Sequence, residues 1–503
     1  MTKTINRLER RDWLVAVLFF LLTMLSYAPL RTRYAYLWDS VEFVEAIRDY
    51  NVALSQPHAP GYFLYIMLGR LVNTFVGDPH SSLVWISVVA GAGLVAILYL
   101  LGAALFGRSV GVVTGLMAWT SPLIWFFSCV ALTYVLDAFL VCVLVLWCWR
   151  AAQHGGSWLD AVGLGSMLAV IAGVRQQSLF GLVPLAVFTL WQFKSQRGLK
   201  MAAALLACVV VLAAWFSALL RMTGGWATYS AALTQIAQFH AHKTLAVGGW
   251  QALLWNVFFA GLYCVNGIML GALALPMAFR RDRNANALRH LAIWGAPVFL
   301  LAVAVGYSEA PGHVFTYLPC LLLLCGAGVA RTRRPALAAA AVCGFNLFVF
   351  LAWPRAWDPA LWGTIPKARV LRAHDALIAN TTRLIREQYR PDETILCHEH
   401  GDLFFGLRHF QIYLPEFPNY REDRDHAMVT PTNATLLRAW KGRLEYVERM
   451  DLTGKRVALL VVPPGQKLQQ FSAHWDVGRA RPVEGSGGTL YALPVDAAAG
   501  KSE

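Results

Sequence analysis

Charge is what this sequence has least of. Only 14% of its 503 residues are Asp, Glu, Lys or Arg, against about 25% in an ordinary soluble chain, and the mean hydropathy is +0.49. That deficit excludes a water-soluble globular enzyme. The 57% apolar content excludes a disordered chain as well. Cysteine is sparse and unpatterned. There are 9, and most, such as Cys142, Cys148, Cys208 and Cys343, lie inside apolar runs. No CxxC pair and no His/Cys ligand spacing occurs, so neither a disulfide framework nor a structural zinc is expected. No repeat of 20–50 residues is visible, and the only low-complexity tract is the Ala-rich run near 340. Acid is scarcer than base, with 29 Asp+Glu against 43 Lys+Arg and a net charge of +14. In a soluble protein that balance would suggest nucleic acid. Here the basic residues cluster between apolar runs, as membrane topology requires, and no nucleic-acid partner is expected.

What the sequence has in abundance is long apolar runs. A spanning helix needs roughly 20 mainly apolar residues. Eleven segments qualify, at about 12–30, 82–106, 110–127, 132–149, 159–174, 178–193, 201–220, 251–279, 290–306, 314–330 and 336–353. The fifth and sixth are short and could be tilted, broken or re-entrant. The first is too long for a signal-peptide core and lacks a small-x-small cleavage site, so it reads as an anchor. One set of alternating loops holds 16 Lys/Arg, including Lys3, Arg11, Arg108, Lys200, Arg281 and Arg334. The opposite set up to residue 335 holds seven: Arg31, Arg33, Arg48, Arg70, Arg175, Arg221 and Lys243. The basic set is assigned to the cytoplasm, which puts the amino terminus inside and the segment after 353 outside.

That last segment changes character. From about 364 it is polar, with helix-like stretches at 368–390 and 433–450 and β-like runs at 394–397, 457–462 and 489–494. The expected architecture is a polytopic α-helical domain over 1–355 and a small extracytoplasmic α/β domain over 364–503.

The long first outer loop, 31–81, carries two unusual pieces. Trp38-Asp39-Ser40-Val41-Glu42-Phe43 places two carboxylates three apart at a helix start. Pro57-His58-Ala59-Pro60-Gly61-Tyr62 is a tight turn leading into an apolar amphipathic stretch, 62–77, suited to the membrane surface. Read alone, Asp39 and Glu42 fit a capping box, with Asp39 capping the helix and Glu42 reaching back to its amide. His58 read alone is a turn residue. Their company in the first outer loop of an eleven-span chain favours a functional reading.

The pattern W-D-S-x-E-F … P-H-x-P-G-Y resembles the first outer loop of the GT-C superfamily of membrane glycosyltransferases, and most of all its protein O-mannosyltransferase-like branch, where D-S-G-E-F and H-P-P-G-Y are usual. The likeness covers 10–355 in architecture and about 38–70 and 119–140 in motif. Val41 stands where that branch has Gly, and Ala59 where it has Pro. The resemblance implies a fold of GT-C type and a donor sugar carried on a polyprenyl phosphate. It also implies a first-loop Asp, here Asp39, as catalytic base. A base beside the attacking hydroxyl and positive charge at the leaving phosphate are what such a transfer needs. A lipid-linked donor explains the many spans. One acid as base, without a second to trap the sugar covalently, implies inversion at the anomeric carbon.

Other polar residues fall at the expected outer face. Tyr134 and Asp137 lie in the outer half of the fourth span, and an acid within a span is costly enough to suggest function. Its plainer role is helix packing against a Tyr or Arg. Arg175 sits in a short outer turn, where it could bind a lipid phosphate or simply snorkel to water. The turn 307–313 leads into His313 and Tyr317, an arrangement that superfamily members often place near the donor phosphate. A Pro-Gly turn with an aromatic belt is the alternative. His240 and His242 are two apart, diverge on a helix and lack a third ligand, so they are not read as a metal pair. Asn380 and Asn433 open glycosylation-type triplets that carry no weight.

The expectation is thus an inverting glycosyltransferase working on the outer face from a polyprenyl-phosphate sugar, with a glycan, lipid or protein acceptor. Asp39 is the base, and Glu42 orients the acceptor or a metal. His58, Arg175, His313, Tyr317, Tyr134 and Asp137 are the donor-binding candidates. Asp39 and Glu42 are also candidate ligands for a divalent cation, although two carboxylates alone are not a site. A transporter or flippase of lipid-linked saccharides is the alternative. It should show repeat-related broken helices and midplane charges, and neither is visible. A third possibility is a non-catalytic sensor whose outer domain binds a ligand.

Overall fold

Long runs without charge must satisfy their own backbone inside a bilayer, and each of the eleven apolar segments does so as helix. The computed structural model describes residues 8–279, 285–306, 311–357, 366–399, 404–422 and 435–497. Among these, 7 helices are long and apolar enough to cross a membrane, or up to 8 if a bent pair counts as one span. The bent pair is the expected third span. It divides into Arg108–Thr120 and Pro122–Ser128 with a 58° bend, at a proline that lacks the N–H needed to continue the ladder. The fifth, sixth and tenth expected spans are shorter helices, Trp158–Val174, Gln176–Trp191 and Leu318–Val329. They hold 17, 16 and 12 residues. At about 1.5 Å per residue each is shorter than the ~30 Å hydrocarbon core. Phe63–Val76 is a further apolar helix, where the amphipathic stretch 62–77 is expected. Large apolar side chains such as Leu14, Leu18, Leu25, Leu205 and Val210 stay more than half exposed, as lipid-facing positions do. The chain is a multi-pass membrane protein.

The chain divides into two compact units. One is residues 1–31, 62–222 and 237–371, and the other is 32–61, 223–236 and 372–503. The first holds the apolar helices. Small residues let some of them close up. A Cβ added at Gly102 would come within 2.8 Å of the Gly111 backbone, so Pro79–Phe106 and Arg108–Thr120 pack backbone to backbone there. One charged pair ties helix ends together. Arg108 Nε donates to Asp12 Oδ1 at 2.7 Å and Nη2 to Oδ2 at 3.1 Å, and the Tyr99 hydroxyl donates to Oδ1 at 3.1 Å.

The second unit is built on a seven-stranded sheet: β1 (Thr394–His398), β2 (Asn419–Glu422), β3 (Leu436–Trp440), β4 (Arg443–Val447), β5 (Val457–Val461), β6 (Arg481–Pro482) and β7 (Leu490–Pro494). Its order is β4-β3-β2-β1-β5-β7-β6. β1 runs parallel to β2 and to β5, and the other pairs are antiparallel. Side chains alternate across it as the pleat requires. Leu396, Leu459 and Val461 join Ile378 and Ile385 of the helix Ala368–Gln388 in one core. Ile395, Cys397 and Leu460 join Phe471 and Trp475 in another. Three expected strands and the expected helix at 368–390 are therefore present.

Within the stretch 433–450, read from sequence as helix, residues 436–447 are instead the β3–β4 hairpin. Lys441 and Gly442 both take positive φ, 50° and 73°, which is the two-residue turn whose twist suits antiparallel strands. Leu437, Ala439 and Leu444 then pack into one small core. The turn residues 307–310, the basic residues 280, 281 and 283, and Asn433 lie outside the described residues.

Candidate active site

The motif W-D-S-x-E-F forms a helix, Trp38–Arg48, whose N-cap is Leu37. Asp39 therefore lies in the first turn rather than at the cap, where its charge still favours the helix dipole. The Leu37 amide donates to Ser40 Oγ at 3.5 Å, and Glu42 does not reach back to close a capping box. The capping-box reading thus fails because the helix begins two residues earlier than that reading needs.

Ser40 to Ile47 are all buried, so this helix is enclosed on every side and its acids need partners. Glu42 is 1% exposed. Its Oε1 accepts from Trp38 Nε1 at 2.6 Å. Its Oε2 accepts from the His58 amide at 3.1 Å and meets His58 Nδ1 in a short contact. Glu45 is paired with Arg48 at 2.9 Å, and burial still pushes its carboxyl up. His58 is held in a pinned turn. Tyr50 Oη donates to Gly61 O at 2.8 Å, Tyr229 Oη donates to Pro60 O at 3.3 Å, and the Gln56 amide donates to Asn51 O at 2.9 Å.

Asp39, Glu42 and His58 come together with one possible ligand atom each, all within 4.8 Å of one another. Burial by itself would push the His58 imidazole down, but the Glu42 and Asp39 carboxylates raise it to about 9. Burial pushes Glu42 up, but the charges of His58 and Arg408 outweigh that and hold it below the usual carboxylate range. At neutral pH the pair is an imidazolium beside a carboxylate. Asp39 is then the half-buried acid of the trio and Glu42 the buried one.

Two arginines the sequence did not single out, Arg408 and Arg421, complete the surroundings. Arg408, on the helix Leu407–Tyr413, is 0% exposed and lies 3.6 Å from Glu42 Oε1. It donates to Leu54 O, Ser55 O and Gln411 Oε1, each at 3.1 Å. The Trp38 ring carries two guanidiniums, Arg408 at 5.3 Å and Arg421 of β2 at 4.5 Å. The one sequence signal for Arg408 is an arginine set inside the apolar run Phe404-Phe405-Gly406-Leu407 to Phe410, where an unpaired charge would be too costly.

The remaining candidates belong to the other unit. Arg175 separates two short helices and is 4% exposed, so it does not snorkel to water. Its Nη1 donates to Gly312 O, and its guanidinium lies 5.1 Å from the Tyr134 ring centre. Gly312 fits because Tyr134 leaves no room for a Cβ, which would meet the ring at 2.4 Å. Asp137 is fully buried. Ser178 Oγ donates to its Oδ2 at 2.8 Å and Thr316 Oγ1 does so at 3.2 Å. Arg175, Tyr134 and Asp137 thus share one cluster with the 312–316 segment. His313 lies on that segment, while Tyr317 packs edge-on against Phe299 at 5.5 Å.

No protein-family model matches the chain, and no curated protein does. Among solved structures it is similar to ArnT from Cupriavidus metallidurans in the apo state, with 12% identity over 96% of this chain and 97% of that one and a TM-score of 0.55. It is similar also to the same protein bound to undecaprenyl phosphate, with 14% identity over 97% and 98% of the two chains and a TM-score of 0.57. At such identities the likeness is one of fold, and the chain has an ArnT-like fold.

Proposed function

We propose that the chain is an inverting glycosyltransferase that moves a sugar from a polyprenyl-phosphate donor to an acceptor hydroxyl on the outer face of the membrane. The observation that carries this reading is the assembly of Asp39, Glu42 and His58 within 4.8 Å, on a fold shared with ArnT, which binds undecaprenyl phosphate. Asp39 takes the proton of the attacking hydroxyl. His58 already holds a proton at neutral pH, so it serves as a fixed positive charge that keeps Glu42 ionised beside Asp39. Glu42, tied to Trp38, His58 and Arg408, orients the trio.

Arg175 supplies positive charge for the donor phosphate. Tyr134 and Gly312 hold its guanidinium, and Asp137 fixes Ser178 and Thr316 beside it. His313 and Tyr317 are the further donor contacts. The unit containing the sheet selects the acceptor, which is a glycan, a lipid or a protein. A second reading places a divalent cation among Asp39, Glu42 and His58, and the 4.8 Å spacing favours it. Against it, the cation would replace the His58 proton beside the Arg408 guanidinium. Sugar transfer unchanged by a chelator supports the ion-paired trio, and loss restored by added Mg²⁺ or Mn²⁺ supports the cation.

The deciding experiment is Asp39→Asn, with transfer from a defined polyprenyl-phosphate sugar and thermal stability measured together. An amide cannot accept the proton, so turnover should fall ~10²–10⁴-fold. Loss of one first-turn charge should cost only about 0.3–1 kcal/mol of stability. A folded variant with full activity would remove Asp39 as the base. A wild-type protein that moves the lipid-linked sugar across a bilayer without transferring it would favour the transporter.

A further inference from the structure

A groove of about 660 Å³ runs along the helical unit, away from every residue assigned a role above. Its apolar lining includes Trp13, Ala96, Phe139 and Val143, and it ends at Arg150, His154 and Asp160. It is formed by Arg10–Tyr27 between Trp13 and Phe20, the second half of Pro79–Phe106, Tyr134–His154 from Phe139 onward, and the start of Trp158–Val174. The Tyr99–Asp12 hydrogen bond places the second half of Pro79–Phe106 beside the start of Arg10–Tyr27, so the groove occupies one side of the bilayer. That is the side of the basic loops.

Trp13 is 46% exposed and Val17 54%, which are values for a lipid-facing surface. The apolar stretch of the groove offers ordered water no polar partners. Within a bilayer it is filled by hydrocarbon. The position of the charge sets what kind. From Phe139 to Arg150 the helix climbs eleven residues, about 16 Å at 1.5 Å each, which matches one leaflet of a ~30 Å hydrocarbon core. An acyl chain lying in the groove therefore brings its headgroup to Arg150, whose side chain is exposed. Among the described residues, Asp160 is the one acid lining the groove. Its carboxylate is taken up by Trp147 Nε1 at 2.9 Å and by Ser157.

We propose that this groove is a binding site for one glycerophospholipid, with an acyl chain between Trp13, Ala96 and Phe139 and the phosphate on Arg150. The site is separate from donor binding and does not depend on the glycosyltransferase reading.

The test uses the full-length protein, delipidated in detergent and titrated with dioleoylphosphatidylethanolamine or with dioleoylglycerol, which lacks the phosphate. Bound lipid is counted by native mass spectrometry. The wild type should retain one phospholipid saturably and bind the diacylglycerol about tenfold more weakly, the size of one charge-assisted hydrogen bond. Ala96→Trp fills the groove and should lose that lipid. Leu205→Trp, at a position 66% exposed on another helix, should keep it. Arg150→Ala should bring phospholipid affinity down to that of diacylglycerol. Val143→Trp fills the same groove and serves if Ala96→Trp fails to fold. Equal lipid counts in the filled and control variants, or equal binding of the two lipids by the wild type, would overturn the proposal.

Discussion

Replacing Arg408 by Met removes the guanidinium and keeps most of the stem. Arg408 is fully buried, 3.6 Å from Glu42 Oε1, and donates at 3.1 Å to the carbonyls of Leu54 and Ser55 and to Gln411. The variant leaves Glu42 balanced only by His58 and strips two carbonyls of their donor. Removing one partner of a buried ion pair costs about 3–5 kcal/mol. Each orphaned polar group costs ~1–3 kcal/mol, but these losses overlap, so the expected total is about 3–5 kcal/mol. For a unit of this size that lowers the melting temperature by roughly 6–20 °C. Unfolding in detergent, followed by hydrogen exchange at the 52–58 backbone, reads the effect where it originates. Arg408→Lys keeps the charge but not the planar fork and should fall between the two. The double variant Arg408→Met with Glu42→Gln removes both charges and should be more stable than Arg408→Met alone by at least ~1 kcal/mol. A single Met variant within about 0.5 kcal/mol of wild type, or a double variant that simply adds the two losses, would refute the coupling between Arg408 and Glu42.

Arg175→Ala should impair use of the polyprenyl-phosphate donor far more than use of acceptor, and Arg175→Lys should restore only part of it; an unchanged donor KM would leave Arg175 a packing residue. The sheet-bearing unit should lose stability in acid. Burial depresses His374 to about 4, His398 to about 3, and His409 well below 6.5. The unfolded chain therefore binds these protons first, and stability falls as pH drops from 6.5 toward 4; equal denaturation midpoints at pH 7 and pH 5 would contradict this. The Glu42–His58 pair acts in the opposite direction for His58. Raised to about 9, His58 contributes fully below 6.5 and loses its contribution as pH rises through 9, so His58→Gln should remove an alkaline loss seen in wild type. For topology, cysteines introduced at Ser195 and Ala285 should resist labelling from outside while one at Val370 reacts; the reverse pattern would overturn the assigned orientation.

Periodicity and composition made most of the helices legible. Runs such as 82–106 and 201–220 have no charge to satisfy, so in a membrane they can only be helix, whatever surrounds them. The three strands at 394–398, 457–461 and 490–494 were legible because each is short, apolar and β-branched or aromatic, and central in the sheet. The hairpin at 436–447 was not. Its Leu-Arg-Glu composition also suits a helix, and the deciding signal was the single Lys441-Gly442 turn.

The site divides in the same way. Asp39, Glu42 and His58 lie within twenty residues, so their spacing and company could be read along the chain. Which carboxylate is buried could not, because helix 38–48 is buried against groups far away in sequence, among them Arg408 and Arg421. Arg408 reaches the Leu54 carbonyl across 354 residues. Local propensity acts over a few residues and therefore determined the helices, the turn and the acidic pair. Burial, and with it the charge state of Glu42 and His58, depends on groups that only the folded chain brings within 4 Å, and so the tertiary structure alone decided it.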